Sequence, residues 1–468
     1  MNRTLCVLIL AILFVLGGCY ASSPEMVVDT RPKTIVPRIV APDDVPSPVA
    51  ALDEPAGIIT LPDVLALAVS RNPGLGVFPY EFRAADARAL QAGLRRNPEF
   101  ELEIEEFAGS GARGGFDAAE TTVRIGQPIE LGGKRAKRLR VAQLDKELTQ
   151  WDYESARLDV MREATQAFIG VVAAQDRVAL ARQLVDLSQQ AHAAVAQRTE
   201  AGRDPPVDEL RASVALSTTR IELQKAEKAL RTARQNLAAV WGGKNAVFER
   251  AADGPDAVAP PAIPQDTAAA IAGNPDVARW ETQERRQRAA LRLEQANAAP
   301  DVTFGGGVRR FEETDDAAVV FDLAAPLPLF DRNQGGIRAA LAALGKTRRQ
   351  YESVQVRTLA ALSEAIGALM AAHEEVVVLK NDVLPKAGQA FAAAQEGYRQ
   401  GKFDYLYVLD TQRTLFETQA GYIDAVEAYR KAQADVTRLV GGSLNAADRK
   451  PSSGSLAEPL SQEQSHDE

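Results

Sequence analysis

Four glutamates at every second position, Glu99, Glu101, Glu103 and Glu105, alternate with Phe100, Leu102 and Ile104 in the stretch NPEFELEIEEF, residues 97 to 107. On an extended segment such carboxylates all point to one side, where they can attract cations and face water, while the other side is apolar. On a helix they would spread around the circumference and leave no stripe to bury. An edge strand of a soluble sheet carries the same pattern, so neighbouring elements must decide. Other reactive residue types are sparse. The histidines are His192, His373 and His466 and the cysteines Cys6 and Cys19, too dispersed for a metal centre or a nucleophile with its base. GSGARGG, 109 to 115, lacks the closing GK[ST] of a phosphate loop and lies between strand-like runs, which makes it a loop or hairpin turn. HExxH and nucleophile-elbow motifs are absent. No catalytic activity, no cofactor and no resident metal is expected. A net charge of −9 without a basic block argues against nucleic acid as a partner.

The elements that would position the carboxylates occur twice. RNPGL at 71 has a partner in GNPDV at 273; Pro73 and Pro275 are 202 positions apart, as are Pro98 and Pro300, each of which opens a strand-like run. IGQPIELGGKR (125 to 135) matches AAPLPLFDRNQ (324 to 334), and Gly202 and Gly242 match Gly401 and Gly441 at an offset of 199. Landmarks in one order at nearly one spacing are the mark of an internal repeat. Each copy reads as a helix, two strands, one very long helix and a return helix. TTVRIGQPIEL, DVTFGGGVRRF and AVVFDLAAPLPL alternate, with Arg124, Glu130 and Asp322 on the polar parity, over about the ten residues that a tilted strand needs to cross hydrocarbon. Lys134 to Glu200 holds no proline, and Arg332 to Arg399 holds only Pro385, so two helices of about 100 Å are expected. Rods of that length need neighbours along their whole length. Alanine-rich flanks and an aromatic content of 6% let those neighbours approach closely, as in a coiled-coil wall. Glycines at 202 and 401 permit the reversals, and Gly242 and Gly441 stop the return helices.

The chain ends read differently. Arg3, an apolar run from Leu5 to Leu16 and small residues before Cys19 form an export signal too short to span a bilayer. LGGC resembles a bacterial lipobox, which implies that Cys19 is acylated; the alternative is an ordinary signal with an incidental cysteine. By resemblance to the lipoprotein sorting pattern, Tyr20 implies the outer membrane. The expected organisation is a signal peptide (1–18), a lipidated proline-rich tether (19–57), a first repeat (58–243), a connector (244–264), a second repeat (265–442) and a disordered tail (443–468).

Four strands cannot close into a cylinder, and lipid offers no partner to unpaired edges. Two chains would give eight strands and a filled interior; three give twelve and a lumen into which the glutamates point. The fold class expected is therefore mainly α with a small β part. It comprises duplicated long antiparallel helical hairpins and four transmembrane β-strands, assembling as a trimeric α-barrel and twelve-stranded β-barrel.

Residues 58 to 441 resemble the TolC-like outer membrane efflux proteins. SRNPGL, QPIELGGKR, PLPLFDRNQGG and YLYVLDTQRTLFE are most similar to the branch that serves cobalt, zinc and cadmium or copper and silver pumps. The resemblance implies a homotrimer in outer membrane lipid, reaching across the periplasm to an adaptor protein and an inner-membrane pump of the resistance-nodulation-division type. Its gate motif DVLD matches residues 407 to 410, which gives Asp410 the gate role and leaves Tyr407 as a departure. Asp404 either compensates for the missing carboxylate or caps a helix. Ala201, Gly202 and Arg203, with Gln400, Gly401 and Lys402, match the hairpin tips that receive the adaptor, a role compatible with C-capping. Heavy-metal cations are the implied cargo; a duct for organic toxicants and a non-conducting periplasmic scaffold lipoprotein are the alternatives.

Overall fold

The computed structural model describes residues 54–252 and 258–442. Cys19, His466, most of the tether and the tail lie outside the described residues. A two-residue strand β1 (Ile58–Ile59) precedes helices α1 (Leu61–Arg71) and α2 (Phe78–Gly93), strands β2 (Glu99–Glu105) and β3 (Glu120–Ile129), and the hairpin of α3 (Lys134–Glu200) and α4 (Pro206–Val240). The order then repeats. After β4 (Arg250–Ala251) come α5 (Thr267–Ile271), α6 (Pro275–Asn297), β5 (Val302–Phe311) and β6 (Asp316–Ala324). The second hairpin is α7 (Gln334–Val378), a π-turn (Leu379–Val383), α8 (Leu384–Arg399) and the return helix α9 (Tyr405–Leu439). β1 and β4 pair in parallel over two residues, a short link between the repeats that the sequence pattern did not announce.

The long helices start where the backbone can turn sharply. Gly133 and Asn333, at equivalent places in the two copies, both sit in the left-handed region at φ 68° and 55°. α3 then continues unbroken for 67 residues, as its proline-free sequence dictates. Its counterpart departs from the expected single helix, because Pro385 has no N–H and its ring crowds the preceding turn; the π-turn beside it widens the helix to accept the ring. β6 also ends earlier than the alternation, at Ala324, since Pro326 and Pro328 cannot donate to a ladder.

The landmarks that reveal the duplication prove to be one device used twice. Asn72 Nδ2 donates to the Val240 carbonyl at 2.6 Å, and Asn274 Nδ2 donates to the Leu439 carbonyl at 2.9 Å. Each asparagine thus satisfies a carbonyl left over at the end of its repeat's return helix. Gly242 and Gly441 follow at φ 81° and 86°, and a Cβ on either would press on Pro73 or on the Gly273 carbonyl. The asparagine-proline turn and the terminal glycine therefore need each other, though they are far apart in sequence.

Around these turns lie two apolar cores, one of Val64, Phe78, Phe168, Leu237, Trp241 and Phe248, the other of Ile271, Leu362, Leu369, Val376, Tyr429 and Val436. A third cluster, Val195, Ala212, Ala394, Tyr398, Tyr405 and Val408, joins the two hairpins near their tips.

Asn274 is fully buried, and its side chain also accepts from the Asp276 N–H at 2.8 Å. Asn274→Ala is expected to lower stability by about 2–3 kcal/mol, because it strands a buried carbonyl and a helix-start N–H. Chemical denaturation followed by helical circular dichroism measures this loss, and exposed Gln224→Ala serves as the near-neutral control.

Candidate functional site

The four-stranded sheet has the order β2-β3-β5-β6 and is antiparallel throughout. Its register stacks equal parities across all four strands. One face carries Phe100, Leu102 and Ile104, then Val123 and Ile125, then Phe304 and Val308, and finally Val319, Phe321 and Leu323. All ten are exposed, with Phe100 at 70% and Phe321 and Leu323 at 73%. Lone exposed apolar residues are ordinary; a continuous sheet of them marks a surface meant for an apolar partner.

The opposite face collects the charges. Glu101 and Glu103 flank Arg124, whose Nε lies 2.7 Å from Glu101 and whose terminal nitrogen lies 3.4 Å from Glu103. Glu105 and Glu120 stand directly opposite one another across β2 and β3, a repulsive placement. Arg309 from β5 relieves it by donating to Glu120 at 2.7 Å, Glu105 at 3.1 Å and the Thr122 hydroxyl at 2.9 Å. Glycines make room for this layer: a Cβ on Gly307 would strike Arg124, and one on Gly305 would strike Asp322. The alternation foresees a row of bare carboxylates. Instead, Glu101, Glu103 and Glu105 are partly neutralised by two arginines, and only Glu99 keeps no ion partner among the described residues. Arg124 was legible on the polar parity; Arg309 comes from a strand 204 positions away from Glu105.

At the other end of the molecule, both hairpins turn through the same glycine motif. The Gly202 N–H donates to the Thr199 carbonyl and the Arg203 N–H to that of Arg198, while Gly401 and Lys402 repeat the pattern on Tyr398 and Gly397. This is the double bond of a Schellman cap, with glycine at the left-handed position in each copy. Ala201, Gly202, Arg203, Gln400, Gly401 and Lys402 are all exposed.

Asp404 occupies the N-cap position of α9, and its side chain makes no cap bond. Tyr407 and Asp410 follow at spacings of three, on one side of the helix, and all three side chains are exposed. The Tyr407 ring lies 5.6 Å from that of Phe403. Neither aspartate forms an ion pair among the described residues. His192 and His373 lie on different hairpins, and no group of three or more metal-ligating side chains converges among the described residues.

Sequence reasoning missed the contact that joins the tips. Arg198 holds Asp204 in a bidentate pair at 2.8 and 2.9 Å, and the Tyr398 hydroxyl from the second hairpin donates to the same carboxylate at 2.5 Å. The Arg198 guanidinium also lies over the Tyr398 ring, 4.6 Å from its centre. The hydrogen bonds from Arg198, followed by that from Tyr398, hold the Asp204 carboxyl below its ordinary value, against the opposing effect of burial. Burial and the adjacent carboxylate push the Tyr398 phenol up. The partners are 194 positions apart, and nothing local in either stretch signals the pairing.

A family model described as "Outer membrane efflux protein" matches residues 64–243 and 268–442. The chain belongs to the outer membrane efflux protein family. Among its relatives, the cobalt-zinc-cadmium resistance protein CzcC of Cupriavidus metallidurans is 33% identical over 388 residues, covering 83% of this chain and 91% of that protein. The nickel-cobalt-cadmium resistance protein NccC of Alcaligenes xylosoxydans xylosoxydans is 26% identical, covering 69% and 72%. Among solved structures, CusC, reported in the context of transmembrane channel formation, superposes with a TM-score of 0.71 at 17% identity, over 84% of this chain and 96% of that one. A membrane protein from Pseudomonas aeruginosa gives 0.71 at 20% identity, over 82% and 90%. These structures share the fold.

Because the Asp204 carboxyl is depressed in the folded state, its contribution is present above the ordinary aspartate value and is lost as pH falls through the lower, folded one. The tip contact is therefore expected to persist unchanged from pH 8 to pH 5 and to weaken only in strong acid. Amide exchange at residues 196 to 204, measured against pH, tests this. In Asp204→Asn, which removes about 1–3 kcal/mol of charge-assisted bonding, the fall in protection should already be present at pH 7.

Proposed function

We propose that this protein is the outer membrane channel of a tripartite efflux system, passing heavy-metal cations received from an inner-membrane resistance-nodulation-division pump through a periplasmic adaptor. The observation that carries the reading is the sheet: an apolar face, a charged face and two edge strands, β2 and β6, each paired on one side only. Lipid accepts the first face, water the second, and neither accepts an unpaired edge. Among the described residues no helix is long and apolar enough to cross a membrane; the apolar face of the sheet is the surface that this reading sets in lipid. Three copies placed edge to edge give twelve strands, with Glu99, Glu101, Glu103, Glu105 and their arginines around a wet lumen. The reverse orientation would place those carboxylates in lipid at a cost of up to a few kcal/mol each near the midplane.

The helical hairpins of the three copies then form a periplasmic α-barrel. Asp410 is the gate carboxylate, with Tyr407 beside it and Asp404 at the helix start, and the two Schellman turns meet the adaptor. Cys19 is the acylated anchor at the outer membrane. Heavy metal is the cargo by kinship with CzcC and NccC, whose names specify resistance to cobalt, zinc, cadmium and nickel. The conduit holds its ions weakly, as conduction requires, and selection falls to the pump.

Purified protein in a planar bilayer is expected to conduct, and divalent cations are expected to block the current. Asp410→Ala should weaken that block roughly tenfold, as removal of a charged ring from a narrow opening does. Unchanged block would move the constriction elsewhere, and a complete absence of current would favour the scaffold. A deletion strain sensitised to cobalt, zinc or cadmium, and not to organic toxicants, separates the two cargo classes.

A further inference from the structure

The apolar face of the sheet does not stop where the strands end. All four strands join helices at the same end of the sheet, and there PLPLF, 326 to 330, adds exposed Leu327, Leu329 and Phe330 to it. Phe330 is 89% exposed, the most open large apolar side chain among the described residues. Arg332 follows it directly. Gln334 Nε2 donates to the Phe330 carbonyl at 3.0 Å, and Arg338 stands one turn further along the same side of α7.

The two copies differ at this corner. Gly133 and Asn333 set the correspondence, which places Phe330 where the first copy has Glu130 and Arg338 where it has Arg138. In the first copy, Arg138 pairs with Glu130 at 2.7 and 3.1 Å. The second copy offers no such carboxylate: Arg338 is exposed and forms no ion pair among the described residues. Arg332 donates to the Pro328 carbonyl at 3.1 Å, and the adjacent Asp331 instead accepts from the Asn333 N–H at 2.9 Å. Arg135, in the first turn of α3, is likewise exposed and without an ion pair among the described residues. A cation there opposes the helix dipole, so Arg135 does not serve the stability of α3. An open phenyl ring beside guanidinium groups that lack carboxylates suits a partner that is apolar at one end and anionic at the other.

We propose that this end of the sheet binds anionic phospholipids of the adjoining membrane leaflet. At the corner between β6 and α7, acyl chains lie on Leu327 and Phe330 and a lipid phosphate sits on Arg332 and Arg338, whose planar N–H forks match phosphate oxygens. Arg135 meets the same headgroup layer in the first copy. The inference rests on the reading that the apolar face lies in lipid.

Native mass spectrometry of the full-length protein in detergent, offered equal amounts of phosphatidylglycerol and phosphatidylcholine with matched acyl chains, reads chain number and retained lipid together. The unaltered protein is expected to retain phosphatidylglycerol in roughly tenfold preference. Arg332→Gln with Arg338→Gln should reduce that preference roughly fivefold or more at unchanged chain number, while lysine at both positions should keep most of it. Lys228→Gln with Arg231→Gln, which removes the same charge from exposed positions of α4, should change nothing. Three chains without a phosphatidylglycerol preference, or a preference untouched by the two glutamines, would overturn the lipid site and leave the channel reading standing. Glutamine variants that fall to single chains would make this corner a contact between copies and overturn it as well. Single chains in the unaltered protein would sink both readings.

Discussion

A strand with a free edge inside hydrocarbon has nowhere to send its hydrogen bonds, and this constraint governs the rest of the molecule. β2 and β6 each leave one edge open, and the sheet between them has a face that water rejects. In the function proposed above, each requirement is met by further copies of the chain that complete the sheet within a bilayer. The polar layer then follows. Carboxylates at every second position would repel one another across the strands, so Arg124 and Arg309 are set among them and Gly305 and Gly307 clear the space. The face stays hydrated and charged without carrying a row of unscreened like charges.

The same duplication that supplies the strands in pairs also supplies the hairpins, and the asparagine-proline turn locks each return helix onto the start of its own repeat. Differences between the copies are as informative as their likeness. Only the second hairpin carries a π-turn, and only the second return helix carries Arg438, nearly buried and bonded to Asp159 and Asp276. The two hairpins therefore share a fold but not an unbroken long helix. The first is a continuous rod, and the second is clamped near the sheet and broken toward its tip.

Much of this was legible in the residues. The alternation at 97 to 107 gave the strand and both its faces, the proline-free run gave α3 from Lys134 to Glu200, and paired glycines gave the turns at 202 and 401. Such features are local, set by side-chain parity or by a single backbone angle. What escaped was non-local or masked. Tyr398 finds Asp204, and Arg309 finds Glu105, only after the chain has folded back across some 200 residues. The π-turn was hidden because apolar spacings of three and four run on past Pro385 and conceal the change of pitch. Cys19 lies outside the described residues, and its acylation stands on the sequence alone.

The account rests on copies of this chain completing one membrane-crossing sheet. Native mass spectrometry of the detergent-extracted protein tests that most directly: it should show three chains in one particle that survives only while detergent or lipid covers the apolar face. A single chain, stable in water without detergent, would contradict it.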